Sequence, residues 1–309
     1  MRRVDASQRD LIRDVVNEGL SPYTVSALEK DLHLSFILER LHSFRSELPE
    51  LVLCGGTSLV KGHRLISRMS EDMDFKVVVG SDISKNQRSL FLAELKSEVA
   101  SLLGDEGFAV SKVSARNRNS YFGIELEYSP SFPREAALRP HLLLEFTAES
   151  PFMPAVICQS NSLLGLAVSE QQHSVSFPCL DVIETVAEKS VAFLRRSRTA
   201  AYLSEESRDR RLVRHVYDIG TIGLIGLDFQ AVQLAFDYAL DRDAAKYASQ
   251  DPEFAKNPRL ELARASANLD LTSLRADYEG FVDSLVAGPA LGFDQAFENF
   301  RALVGELLR

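Results

Sequence analysis

A short apolar run, Leu51-Val52-Leu53-Cys54, stops at Gly55-Gly56-Thr57-Ser58, and Arg68-Met69-Ser70-Glu71-Asp72-Met73-Asp74 follows close behind. No other stretch limits the possible folds as much. The run has the length and bounds of a buried strand, and the two glycines end it where backbone without side chains lets a ligand approach. Thr57 and Ser58 open a segment predicted to be helical through about Ile66. Strand, glycine turn and a helix start bearing hydroxyls make a cradle suited to phosphate, because free N–H groups and the positive end of the dipole point out of it. The loop lacks the Gly-Lys-Ser/Thr ending of a P-loop, so taken alone it reads first as an ordinary turn.

The acids downstream add chemistry. Residues 72 to 79 alternate as a strand does, so Asp72 and Asp74 share one face while Met73 and Phe75 enter the core. At the usual strand rise their α-carbons stand about 6.5 Å apart, close enough for both carboxylates to converge on a divalent ion. Hard oxygen ligands suit Mg²⁺, which is held by one or two carboxylates while substrate phosphates supply further oxygens. An isolated Asp-x-Asp reads first as a solvated strand edge. A second apolar strand, His141 to Thr147, carries one carboxylate, Glu145. A charge there is costly unless it is paired or binds metal, which makes Glu145 the candidate third acid, with a water-facing edge strand as the alternative.

Composition narrows the class. With 309 residues, 45% of them hydrophobic, and no apolar run near the length of a membrane span, the chain is expected to bury a core and to lie in the cytoplasm. The N-terminal residues lack the apolar segment of a secretory signal. Cys54, Cys158 and Cys179 are scattered and read as small core residues in a reducing compartment. The histidines at 33, 42, 63, 141, 173 and 215 show no paired ligand spacing, so zinc is not expected. A net charge of −9 argues against a polyanionic partner, but its distribution is uneven. Lys189, Arg195, Arg196, Arg198, Arg208, Arg210, Arg211 and Arg214 face only Glu205, Glu206 and Asp209, a stripe that fits nucleic acid or an ion-paired helix face.

Periodicity orders the rest. Residues 7–19 and 25–46 have helical spacing, and Leu28, Leu32, Phe36, Ile37 and Leu41 form one stripe. A third helix over 85–103 presents Phe91, Leu95, Val99 and Leu102 and is expected to end at Gly104. Runs 108–115 and 121–128 read as a hairpin across Arg116-Asn117-Arg118-Asn119-Ser120. That loop is basic enough for a phosphate contact, although a turn selected for backbone conformation explains it better. Strand-like residues give way to helical ones near Pro178, and Asp181 is placed to cap the next helix. Asp218 falls near the end of a later helix, where the dipole disfavours it, so either a functional role or an ion pair is required. The elements describe an α+β protein, with a mixed sheet and flanking helices over residues 1–178 and a helical domain over 179–309.

Gly55-Gly56-Thr57 with Arg68, Ser70, Glu71, Asp72 and Asp74 resembles the first motif of the AbiEii-type nucleotidyltransferase toxins of type IV toxin-antitoxin and abortive-infection systems. Glu29-Lys30-Asp31-Leu32-His33-Leu34 resembles the opening that precedes that family's nucleotide-binding strand. Glu184-Thr185-Val186-Ala187-Glu188-Lys189 is similar to its helical Ala-x-Lys motif, and Arg214-His215-Val216-Tyr217-Asp218-Ile219 to its Arg-Asp-x-Tyr-Asp-Leu motif. His215 departs from the pattern, which often has Asp, and residues beyond about 220 match none of its motifs. The resemblance implies a nucleotidyltransferase-like sheet and Mg²⁺-dependent transfer of a nucleoside monophosphate from an NTP to RNA, with the 3′ end of tRNA as the expected acceptor. It implies phosphates against Gly55, Gly56, Thr57 and Ser58 and metal at Asp72 and Asp74, beside which Glu145 is the third acid that the strand pattern adds; Arg68 and Ser70 are expected to support the loop or the phosphates, or equally to brace the strand. Lys189 would offset triphosphate charge with Asp218 orienting it, and a cognate antitoxin is an expected partner. Two alternatives remain open: nucleotidylation of a protein or small molecule, and a catalytically silent module that binds nucleotide or antitoxin.

Overall fold

The computed structural model describes residues 1–44, 50–80, 82–168, 174–200 and 208–309. His173, Glu205 and Glu206 lie outside the described residues. The chain forms two compact units, Met1–Arg64 with Arg68–Leu180, and Leu65–Ser67 with Asp181–Arg309.

The first unit is a mixed sheet with helices. Its strands are β1 (Glu50–Cys54), β2 (Asp72–Val78), β3 (Ala109–Arg116), β4 (Tyr121–Glu127), β5 (Leu142–Thr147), β6 (Val156–Ser160) and β7 (Val175–Cys179). They lie in the order β3-β4-β5-β2-β1-β7-β6, which puts β2 in the middle. β2 runs antiparallel to β1 and parallel to β5. Alternation builds the core: Met73, Phe75 and Val77 are buried on one face of β2, where the Phe75 ring stacks on Phe146 at 5.0 Å and Phe146 on Phe122 at 4.6 Å. Burying one such ring contributes about 1.5–3 kcal/mol, so this layer fixes which face of β2 is left for the acids.

The helices of this unit are α1 (Ala6–Asn17), α2 (Val25–Ser43), α3 (Gly55–Thr57), α4 (Lys85–Asp105) and α5 (Leu163–Ala167). Three local expectations are corrected. The segment after the glycine turn does not stay helical to Ile66: a single π turn, Ser58–Gly62, follows α3, and Arg64 takes a left-handed φ of 56°. Helix α4 continues through Gly104 to Asp105 and closes at Gly107, φ 90°, with N–H bonds from Gly107 to the Gly104 carbonyl and from Phe108 to the Leu103 carbonyl. Its buried stripe is Leu92, Leu95, Val99 and Leu103, so Phe91 and Leu102 flank the stripe instead of forming it. The β3–β4 turn is a backbone device, since Asn117, Arg118 and Asn119 all have left-handed φ, a conformation that Asn tolerates well.

His33 on α2 is buried at 2% exposure against the rings of Tyr128 and Phe108. Burial, reinforced by the charge of Arg2, pulls its pKa down to about 3. An unfolded chain therefore binds the proton first as pH falls, so the contribution of neutral His33 is complete above its ordinary value near 6.5 and is lost progressively towards pH 3. Thermal melts should show His33→Phe losing less stability than the wild type between pH 7.5 and pH 5. An identical acid dependence in both proteins would refute that assignment.

The second unit is helical: α6 (Val182–Ala200), α7 (Val213–Ile222), α8 (Phe229–Tyr247), α9 (Pro252–Lys256), α10 (Pro258–Ala267), α11 (Leu271–Leu285) and α12 (Phe293–Leu307). The carboxylate of Asp181 starts α6 by accepting the Ile183 N–H at 2.7 Å. Phe193 meets Phe300 edge-on at 4.9 Å and Tyr217 meets Phe281 at 5.5 Å inside it. The basic stripe is largely neutralised. Arg195 pairs with Asp243, Arg196 with Asp209, Arg208 with Asp277, and Arg198 with Asp251, Glu253 and Glu261. Apart from Asp209, these carboxylates come from well beyond the stripe, on or at the start of α8 to α11, which is why the local charge count overstated a cationic face. Arg210 and Arg211 are exposed. Among the described residues no helix is long and apolar enough to cross a membrane.

Candidate active site

Asp72 and Asp74 occupy the face of β2 opposite the aromatic layer, both half-buried. Asp74 lies in register with Cys54 on β1 and with Glu145 on β5, so the three side chains share that face. Lys76 is next along it and is buried at 3% exposure.

The glycine turn is shaped by what it touches. Gly55 has φ 69°, and a β-carbon there would stand 2.3 Å from Asp74 Oδ2. A β-carbon on Gly56 would stand 2.0 Å from Arg68 Nη2. Asp74 and Arg68 therefore lie against bare backbone, an approach that no larger residue permits. Arg68 is buried under the turn and donates to the Met69 carbonyl at 3.1 Å, which makes it a support of the loop. The expected hydroxyl cradle is corrected as well. Thr57 and Ser58 have no exposed area; Thr57 Oγ1 bonds Ser70 Oγ at 2.8 Å and the Asp72 carbonyl, and Ser58 Oγ donates to the Gly55 carbonyl at 3.0 Å. A buried hydroxyl needs a partner, and these find theirs inside the protein. Thr57 and Ser70 tie the turn to the start of β2.

Glu145 is engaged by the Tyr121 hydroxyl, which donates to its Oε1. Burial first, and then Glu145 and the charge of Asp74, push the Tyr121 pKa well above that of a free phenol, so it stays a donor. Among the described residues no group of three or more His, Cys, Asp or Glu side chains is gathered to hold a metal ion. Glu145 Oε1 is taken by the Tyr121 hydroxyl, which leaves Asp72 and Asp74 as the candidate donor set. Two carboxylates beside a turn without β-carbons fit a cation that takes its remaining oxygens from a polyphosphate.

Three consecutive charged residues of α2 find their partners within the same unit. The Glu29 carboxylate accepts the Ser131 N–H at 2.7 Å. Asp31 accepts the Leu163 N–H at 2.7 Å and pairs with Lys61 of the π turn. Lys30 pairs with Glu71 at 3.2 Å, with neither side chain exposed, and donates to the Arg139 carbonyl at 2.8 Å. Glu71 also accepts the Arg139 N–H. The Arg139 guanidinium meets Asp72 Oδ2 at 3.3 Å.

In the second unit, Lys189 of α6 and Asp218 of α7 form an ion pair at 2.8 Å, with Asp218 fully buried. The pair accounts for an acid in the latter half of a helix. Back in the first unit, a hollow of about 500 Å³ opens between the start of α4 and the β3–β4 turn, lined by Lys85, Arg88, Ser89, Asn117, Arg118 and Ser120 without a carboxylate.

Sequence reasoning missed Tyr121, Arg139 and Lys76. Period-2 alternation past Asp74 would have put Lys76 on the acid face. Nothing local marks Arg139, which precedes Pro140 in an irregular segment.

A family model described as "Nucleotidyl transferase AbiEii toxin, Type IV TA system" matches residues 37–299. Among solved structures, MenT4, a nucleotidyltransferase toxin from Mycobacterium tuberculosis, is similar with a TM-score of 0.60 and 18% identity, over 97% of this chain and 89% of that one. No curated protein sequence matches.

Proposed function

The chain belongs to the AbiEii nucleotidyl transferase toxin family of type IV toxin-antitoxin systems, and from that premise we propose that it transfers a nucleoside monophosphate from an NTP to the 3′ end of RNA, with tRNA as the acceptor. The observation that carries this reading is the pair Asp72 and Asp74 on one strand face, pressed against a glycine turn with no space for a β-carbon.

Asp72 and Asp74 would hold Mg²⁺, which when bound supplies neutralisation of the triphosphate charge. The backbone of Gly55 and Gly56 gives the phosphates a close approach. The acceptor's 3′ oxygen attacks the α-phosphorus, the bond to the β-phosphate oxygen breaks, and pyrophosphate leaves. Glu145, held through Oε1 by Tyr121, receives the acceptor's proton at Oε2. From the family resemblance alone we assign Lys189 to the triphosphate charge and Asp218 to orienting it. Modified tRNA would stop translation, and a cognate antitoxin would restrain the enzyme.

The basic hollow beside the β3–β4 turn supports a polyanionic acceptor on a chain of net charge −9. Incubation with each α-labelled NTP and total RNA should label tRNA-sized RNA at its 3′ end. The double variant Arg88→Glu with Arg118→Glu should cut labelling about tenfold through weaker acceptor binding, more steeply at low salt. Label on protein and none on RNA would overturn the acceptor and favour protein nucleotidylation. No label on any macromolecule or small molecule would favour the silent module.

A further inference from the structure

Arg139 is built in from two directions. Its N–H is taken by Glu71 and its carbonyl by Lys30, and those two form an ion pair with no exposed area. Its backbone is therefore fixed by buried charge at both ends of one residue. The side chain reaches the other way, to Asp72 Oδ2, with 19% of the arginine and 20% of the aspartate side chain exposed. Arg139 Nε is buried without a hydrogen-bond partner among the described residues. Neither side chain is sealed off, so the pair lies within reach of solvent and of an incoming ligand. The carboxylate it occupies is one of the two that fit a divalent cation.

We propose that Arg139 is a triphosphate-binding residue that serves as the counter-cation of Asp72 and is displaced onto the phosphates of an incoming NTP when a divalent cation takes Asp72. This rests on the nucleotidyl-transfer reading and adds to it a residue and an order of events. One carboxylate oxygen cannot serve the guanidinium and a cation at full strength, because like charges would crowd a single donor. The cation arrives with a polyphosphate, whose oxygens match the planar donor fork of arginine better than they match a point charge. Because the backbone is pinned, the side chain can swing while its root stays in place, and the motion needs no rearrangement of the loop.

The test reads cation and phosphate separately. Mn²⁺ binding is followed by electron paramagnetic resonance, and inorganic tripolyphosphate, presented as its Mg²⁺ complex, by calorimetry. In Arg139→Ala the competitor at Asp72 is gone, so Mn²⁺ should bind about threefold to tenfold tighter while tripolyphosphate binds at least about tenfold weaker. Arg139→Lys should leave Mn²⁺ binding near the wild type and lose part of the tripolyphosphate affinity. Both variants keep the backbone bonds to Lys30 and Glu71, and unchanged melting temperatures would verify their folding. A residue that merely braces the site would weaken both ligands together or move neither, and either result in Arg139→Ala overturns the proposal. If the wild type binds neither Mn²⁺ nor tripolyphosphate, the nucleotidyl-transfer reading falls as well, which separates the two failures.

Discussion

Asp74→Asn should lower nucleotide transfer by about a thousandfold or more, roughly 4 kcal/mol of transition-state stabilisation, with little change in folding. The substitution keeps the side chain's size, so it still fits against Gly55, where a β-carbon would stand 2.3 Å from Oδ2. What it removes is the charge that would hold a divalent cation against the triphosphate. Asp72→Asn should be comparably damaging. Ser70→Ala should cost far less, because Ser70 shares Thr57 Oγ1 with the Asp72 carbonyl and Thr57 retains the carbonyl bond without it. Initial rates of label transfer to RNA, together with melting curves, decide the matter. Asp74→Asn at more than a tenth of wild-type activity would remove the acid pair from the chemistry.

The largest stability effect is expected at Glu71. Burial pulls the Lys30 pKa down, and Glu71 is the main group opposing that shift. Glu71→Ala leaves an uncompensated buried ammonium and also orphans the Arg139 N–H, and breaking a buried pair in this way costs about 3–5 kcal/mol. Glu71→Gln retains an acceptor for that N–H and should fall between the two. Urea unfolding of the first unit, followed by tyrosine fluorescence, measures the loss. A midpoint for Glu71→Ala equal to the wild type would mean that the Lys30–Glu71 pair is not holding the unit together.

The frame of the site was legible because its signals are local. Leu51 to Cys54 is a bounded apolar run, Gly55-Gly56 is a break that backbone geometry demands, and period 2 alone sets Asp72 and Asp74 on one side. The turn at Asn117-Arg118-Asn119 was legible for the same reason, since left-handed conformations are written into residue type. The features that escaped depend on partners far along the chain. Thr57 and Ser58 looked like ligands because hydroxyls in a loop usually face water, yet Ser70 and the Asp72 carbonyl claim the Thr57 hydroxyl and the Gly55 carbonyl claims that of Ser58. The cations between Arg195 and Arg208 looked like a binding face until carboxylates from α8, α9, α10 and α11 met them. Glu145 stands out in its apolar strand as a charge needing a partner, and the Tyr121 hydroxyl on the neighbouring strand, which no local pattern marks, is one. Arg139 carries no signal in its own neighbourhood.

One turn of α2 has a consequence for synthesis on the ribosome. Glu29, Lys30 and Asp31 are satisfied by Ser131, Arg139 and Leu163, all made long after the acids at 72 and 74 have emerged. Lys30 and Asp31 can meet Glu71 and Lys61 early, but a nascent chain that ends before Leu163 lacks the last of the backbone partners that complete the network. The network around α2 is therefore completed only when translation has passed well beyond residues 72 and 74, and incomplete products released early carry the two acids without all of it.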